Sequence, residues 1–66
     1  MRITLNGSPV DLEGPLTLAS LLEIHRLKPE AVVVEHNLRV PSKDAYAATD
    51  IREGDRIEIV KFMGGG

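Results

Sequence analysis

Few side chains in this sequence have the type and spacing that chemistry requires. The imidazoles are His25 and His36, and cysteine is absent. Without cysteine there is no disulfide, no thiolate metal ligand and no side-chain sulfur nucleophile. His25 falls on the apolar side of a helical pattern and reads as a boundary residue with one wet nitrogen. His36 stands beside Asn37 and reads as a turn residue. Neither has a second imidazole or a carboxylate at ligand spacing, so no metal site is expected. Glu53 and Asp55 flank Gly54 and read as solvated carboxylates shaping a turn. Glu23, Glu30 and Glu35 do not converge, and Ser8, Ser20 and Ser42 lack an adjacent base or a strained elbow. No side-chain constellation reads as catalytic, which points away from an enzyme and toward a carrier or binding module.

The remaining candidate is the last stretch, KFMGGG. It is not a phosphate loop, because no helix follows whose N-terminus would hold an anion. In a generic chain such an ending is a frayed tail. Here the physical chemistry suggests more. Three extended residues reach roughly 10 Å beyond a fold, and glycines present nothing to obstruct a narrow channel. The tip carries one functional group, the Gly66 α-carboxylate, ionised at neutral pH. A carboxylate on a thin stalk suits attack on the α-phosphate of ATP inside a partner enzyme. The resulting acyl-adenylate is open to displacement by a sulfur or amine nucleophile. Two anions must meet in that step, so the partner has to supply cationic groups and Mg²⁺.

The elements that would hold such a stalk can be read along the chain. RITLN alternates as a half-buried strand, and Asn6-Gly7 suits the positive φ angles of a tight hairpin turn. SPVDLE alternates again through Val10 and Leu12. Gly14-Pro15 breaks the pattern, and Thr17 is a helix N-cap flanked by a staple of Leu16 and Leu21. Leu18, Leu21, Leu22 and His25 share a helical face, and Pro29 forbids continuation, so a helix is predicted over residues 17–27. AVVVE is a strand buried on at least one face. Asn37 marks a turn, Arg39-Val40 gives a brief edge strand ended by Pro41, and residues 42–50 are irregular with one helical turn. REGD turns into RIEIVKF, where Ile57 and Ile59 share one face and Glu58, Val60 and Phe62 the other.

This order allows the first and last strands to pair as parallel central neighbours through a right-handed crossover. It predicts an α+β fold, the β-grasp, with a four- to five-stranded mixed sheet and one main helix packed on one face. Residues 1–62 form the domain and residues 63–66 its glycine-rich tail. The uncovered sheet face leaves Val60 and Phe62 beside the tail, and together with Met63 they form the expected partner-docking surface.

Composition narrows the function classes. A chain of 66 residues is one small domain with no room for a two-lobed cleft. Its net charge is −2, its eight basic residues are scattered and its aromatics are Tyr46 and Phe62, so nucleic-acid binding is not supported. No apolar run suggests a membrane span, and MRITLNGSPV does not read as a signal peptide, so a cytoplasmic location is expected.

Taken together, ITLNG, TLASLLE, VVVEHN, GDRIEIV and the final GGG resemble the ubiquitin-like sulfur carriers. The resemblance covers the whole chain and is closest to the thiazole-forming carriers of thiamin biosynthesis, the ThiS family. It implies that an E1-like adenylyltransferase adenylates the Gly66 carboxylate, using ATP and Mg²⁺, after which it becomes a thiocarboxylate. Gly64 and Gly65 would thread into partner active sites. A cysteine desulfurase persulfide would supply the sulfur, and thiazole synthase would receive it. The carrier would bind no cofactor of its own. Many members have an Arg after the Pro that ends the fourth strand and a Trp shortly beyond, where this chain has Ser42, Lys43 and Tyr46. Alternatives sharing the tail are the small subunit of molybdopterin synthase, carriers for cysteine or tRNA thiolation, and a protein-conjugating modifier. A rival of another class is a regulatory β-grasp module with a similar GD-x-IEI ending, disfavoured by the terminal glycines.

Overall fold

The Asn6-Gly7 dipeptide folds as its chemistry directs. Both residues take positive φ, 49° and 83°, and join β1 (Arg2–Leu5) to the antiparallel β2 (Ser8–Asp11). The structure, a computed structural model, describes residues 1–62, and Met63, Gly64, Gly65 and Gly66 lie outside the described residues.

Two short strands that the sequence reading did not anticipate frame the helix. β3 (Leu16–Thr17) pairs with β5 (Asp50–Ile51) in a separate two-stranded sheet. Each is only two residues long, too short for hydrophobic alternation to register.

Helix α1 (Leu18–Ile24) starts as expected: the Thr17 hydroxyl oxygen accepts the Ser20 backbone N–H at 3.1 Å. It ends earlier than the predicted residue 27. Arg26 turns into the left-handed region at φ 57°, and the N–H groups of Arg26 and Leu27 donate back to the carbonyls of Glu23 (3.0 Å) and Leu22 (2.8 Å). This reversed pair of bonds satisfies the last helical carbonyls in the manner usually reserved for glycine. Arginine there costs roughly 1–2 kcal/mol, which the packing of Leu27 against the core offsets. Pro29 is therefore not the terminator. It opens a 3₁₀ turn, Pro29–Ala31, that leads into β4 (Val32–His36).

The main sheet has the order β2-β1-β6-β4, with β6 spanning Arg56–Lys61. β1 and β6 pair in parallel at the centre, as expected, with Leu5 opposite Ile57. β4 runs antiparallel to β6. The predicted edge strand at Arg39-Val40 shrinks to a single bridge between His36 and Arg39, because Asn37 and Leu38 both take positive φ and reverse the chain at once. Residues 43–48 form a longer 3₁₀ segment than the single turn anticipated. It turns Tyr46 inward to 3% exposure, which makes this residue core and removes it from any partner contact.

One face of the sheet meets the helix. Ile3, Val32, Val34 and Ile57 pack against Leu18, Leu21 and Leu22, with Tyr46 and Ile51 closing the end. No helix among the described residues covers the other face. Among the described residues no helix is long and apolar enough to cross a membrane.

Candidate functional site

β6 is the strand that leads to the tail, and its alternation sorts its side chains between two faces. Ile57 is fully buried and Ile59 packs against the core, while Val60 and Phe62 are 61% and 56% exposed. The β4–β6 register sets Val33 directly opposite Val60 and Glu35 directly opposite Glu58. Val33 is also exposed, at 38%. The sequence reading named Val60 and Phe62 but missed Val33. Its signal lay in the buried–exposed–buried alternation of the three consecutive valines, hidden because all three are apolar.

Phe62 is the last described residue. Its backbone N–H donates to the Ala31 carbonyl at 3.0 Å. Lys43 Nζ stands 6.0 Å from the centre of its ring, at the outer limit of a cation–π contact. Of the expected site residues, Val60 and Phe62 therefore share one exposed face at the tail root. Met63, Gly64, Gly65 and Gly66 fall outside the described residues.

At the opposite end of β6 the structure assembles a polar cluster that the sequence reading did not foresee. Asp55, expected to be solvated, is buried at 8% exposure. Its Oδ2 accepts from His36 Nε2 and from the Arg52 backbone N–H, both at 2.8 Å, and its Oδ1 accepts from Asn37 Nδ2 at 3.0 Å. Asn37 in turn accepts the Arg56 N–H through Oδ1 at 2.8 Å. His36 thus does have a carboxylate partner, which the sequence hid because the two residues lie 19 apart. Glu53 behaves as expected for a surface turn residue, accepting the Arg2 backbone N–H at 3.0 Å. Gly54, at φ 83°, supplies the left-handed turn between the two acids.

Burial alone would push the Asp55 carboxyl up, but the hydrogen bonds from His36, Asn37 and Arg52 outweigh it and hold the group below the ordinary aspartate range. A carboxyl with a depressed folded-state pKa stabilises the fold fully above its unfolded value, near pH ~4, and loses that contribution as pH falls through the folded value. Asp55→Asn is therefore expected to lower stability at neutral pH by about 1–3 kcal/mol and to flatten the acid limb of the stability curve. Urea unfolding at pH 2–7 checks this. An equally steep acid limb in the variant would refute it.

His25 sits at the boundary, as expected, exposed yet beside Leu5, Leu27 and Ile59, which pack against the core. It is the exposed C-cap of α1 and lines an open cleft of about 290 Å³ with Leu5, Asn6, Leu27, Ile59 and Lys61. Among the described residues, no group of three His, Asp or Glu side chains is placed to hold a metal. None of the three serines is hydrogen-bonded to a basic side chain among the described residues, and Ser20 meets only Thr17. What remains among the described residues is an exposed apolar face formed by Val33, Val60 and Phe62 at the C-terminal end of β6.

Comparison with known proteins bears on this arrangement. The model described as "ThiS family" matches residues 3–66. A thiazole synthase of Magnetococcus marinus is 46% identical over 66 residues, which are all of this chain and 20% of that protein. The sulfur carrier protein ThiS of Bacillus subtilis is 35% identical over 65 residues, covering 97% of this chain and 98% of its own length. The crystal structure of a thiamine biosynthesis protein (ThiS) from Geobacter metallireducens superposes with a TM-score of 0.84 at 38% identity, over 100% of both chains. The chain thus spans about a fifth of the thiazole synthases it matches and nearly the whole of the Bacillus carrier.

Proposed function

The chain belongs to the ThiS family, the sulfur carriers of thiamin biosynthesis, and from that premise we propose that its cargo site is the carboxylate of Gly66. In this reading the protein is a co-substrate, not a catalyst. An E1-like adenylyltransferase binds the Val60–Phe62 face together with Met63 and draws Gly64 and Gly65 into its active site. One carboxylate oxygen of Gly66 attacks the α-phosphate of ATP and pyrophosphate leaves. The partner supplies Mg²⁺ and cationic groups for the charge that develops. A sulfur nucleophile originating in a cysteine desulfurase persulfide then displaces AMP. Cleavage of the bond to the donor by a second thiol leaves a thiocarboxylate. Thiazole synthase takes up that sulfur, and the whole exchange takes place in the cytoplasm.

The observation that carries this reading is the placement of the tail root. The family match runs through Gly66. The last described backbone hydrogen bond, from Phe62 to Ala31, secures the chain just before the glycines. The absence of cysteine is compatible with it, since the sulfur would ride on the terminal carbonyl. The test is intact-mass analysis after incubation with the adenylyltransferase, ATP and a persulfide donor. Replacement of one oxygen by sulfur at the C-terminus supports the reading. A stable conjugate to another protein, or an unchanged mass, overturns it.

Phe62→Ala probes the docking half of the same reading. The ring is half exposed and outside the core cluster, so its loss should leave the melting temperature near that of the parent. A large apolar side chain fully buried by a partner contributes about 1.5–3 kcal/mol. Affinity for the adenylyltransferase is therefore expected to drop roughly tenfold or more, as calorimetric titration would report. Unchanged affinity would count against docking through this face.

A further inference from the structure

The outward face of β4 and β6 carries a charge pattern beside its apolar patch. Glu35 and Glu58 stand directly opposite each other across the two strands, both half-buried. Like charges in that position destabilise a sheet. Arg56 approaches Glu58 at 3.8 Å, too long for a charge-assisted hydrogen bond, and among the described residues Glu35 takes part in no ion pair. One step toward the tail, about 7 Å along the strands, comes the Val33–Val60 pair, and after it Phe62 with Lys43 nearby. Along β6 the face therefore reads acidic, then apolar, then aromatic with a cation.

We propose that this stripe is a charge-keyed docking face for the adenylating partner, which sets a cationic side chain against the Glu35–Glu58 pair and apolar surface against Val33, Val60 and Phe62. The inference rests on the reading above and adds what the partner must present. A guanidinium fits best, because its planar fork of donors reaches two carboxylates at once, whereas an ammonium acts as a point charge. Arg56 at 3.8 Å offsets only part of the Glu58 charge in the free sheet, and a cation of the partner relieves the remaining repulsion, so the pair favours the bound state. The order of the stripe also sets direction. A carrier docked the wrong way round would place its acidic pair against apolar surface, an unpaired burial that the complex cannot sustain. Only one orientation satisfies the stripe, and in it the tail root always faces the same part of the partner.

The experiment compares Glu35→Gln/Glu58→Gln and Val60→Ala with the unmodified protein. Each is titrated against the E1-like adenylyltransferase across a range of salt concentrations. Removing both charges should leave the melting temperature unchanged or slightly raised, weaken binding about tenfold and flatten its salt dependence. Charge reversal, Glu35→Lys/Glu58→Lys, should weaken binding further. If the Gln variant binds at the parental affinity and salt slope while Val60→Ala is weakened, the face docks but the charges are not read, and this proposal alone is overturned. If Val60→Ala also binds normally, the face is not the docking surface and both readings fail. Loss of affinity for thiazole synthase but not for the adenylyltransferase overturns the choice of partner. Should the Gln variant fail to fold, the salt slope of the unmodified protein decides: an affinity indifferent to salt refutes the proposal.

Discussion

Deleting Gly66, or adding a single residue after it, is expected to reduce adenylate formation at least 100-fold while the melting temperature stays at the parental value. The two halves of this expectation have separate physical origins. Reaction requires a carboxylate oxygen held within about 3–3.5 Å of the α-phosphorus and in line with the leaving group, and a misplacement of about 1 Å can cost 100-fold. One residue more or less moves the carboxylate by roughly 3.5 Å. In the proposed complex the sheet face holds the domain in place, so moving the carrier would not absorb that shift. Stability is indifferent because the core cluster ends with Ile57 and the last described tether, Phe62 to Ala31, lies four residues upstream of Gly66. Pyrophosphate exchange with the adenylyltransferase and a thermal melt, run on the same samples, check both halves. Exchange at the normal rate in either variant would remove Gly66 from the proposed site.

The opposite pattern is expected at Ile57. This residue has no exposed surface and sits where β6 meets Leu5 of β1 on one side and His36 of β4 on the other. Its carbonyl also accepts the Asn6 N–H at 2.9 Å. Truncation to alanine removes apolar contact and leaves a cavity that the flanking strands, tied by hydrogen bonds, cannot close, which costs about 2–5 kcal/mol. A single core in a domain of this size supplies little more than about 3–5 kcal/mol in total. Ile57→Ala should therefore lower the melting temperature by at least about 10 °C and leave much of the protein unfolded under assay conditions. Ile57→Val, which removes one methylene, should lose only about 0.5–1.5 kcal/mol. Circular dichroism melts distinguish these outcomes, and a melting temperature for Ile57→Ala within 2–3 °C of the parent would mean the site collapses far better than its packing suggests. Ile57→Ala should lose activation through unfolding, Gly66 deletion without it.

The features that sequence reading recovers are those whose cause is local. Asn6-Gly7 makes its hairpin because those two residues tolerate positive φ, and Thr17 caps its helix because its hydroxyl reaches the Ser20 N–H three residues on. The alternation of β6 is visible because Ile57 and Glu58 differ in polarity. The features it misses depend on partners brought together by the fold. The helix stops at Ile24 because the chain turns left-handed at Arg26, a residue whose side chain carries no stop signal, and Leu27 finds a place against the core. Tyr46 becomes core because the 3₁₀ segment turns it into the same buried cluster as Ile51 and the helix leucines. Asp55 reads as a surface acid until the end of β4 and the turn after it supply His36 and Asn37. At the candidate site, Val60 and Phe62 follow from periodicity, whereas the pairing of Glu35 with Glu58 needs the β4–β6 register, which no local pattern encodes.

The parallel pairing of β1 with β6 also governs how the domain bears load. The two strands lie side by side and run in the same direction, so their outer ends point opposite ways. A pull on the tail against an anchor near Met1 acts along both strands. The β1–β6 bonds must then slide and share the strain together, where a hairpin pulled at one end would unzip bond by bond. β4 adds a second row of bonds, this one antiparallel, to the strand under tension. The body of the domain is thus built to hold its shape when load is applied between its two ends.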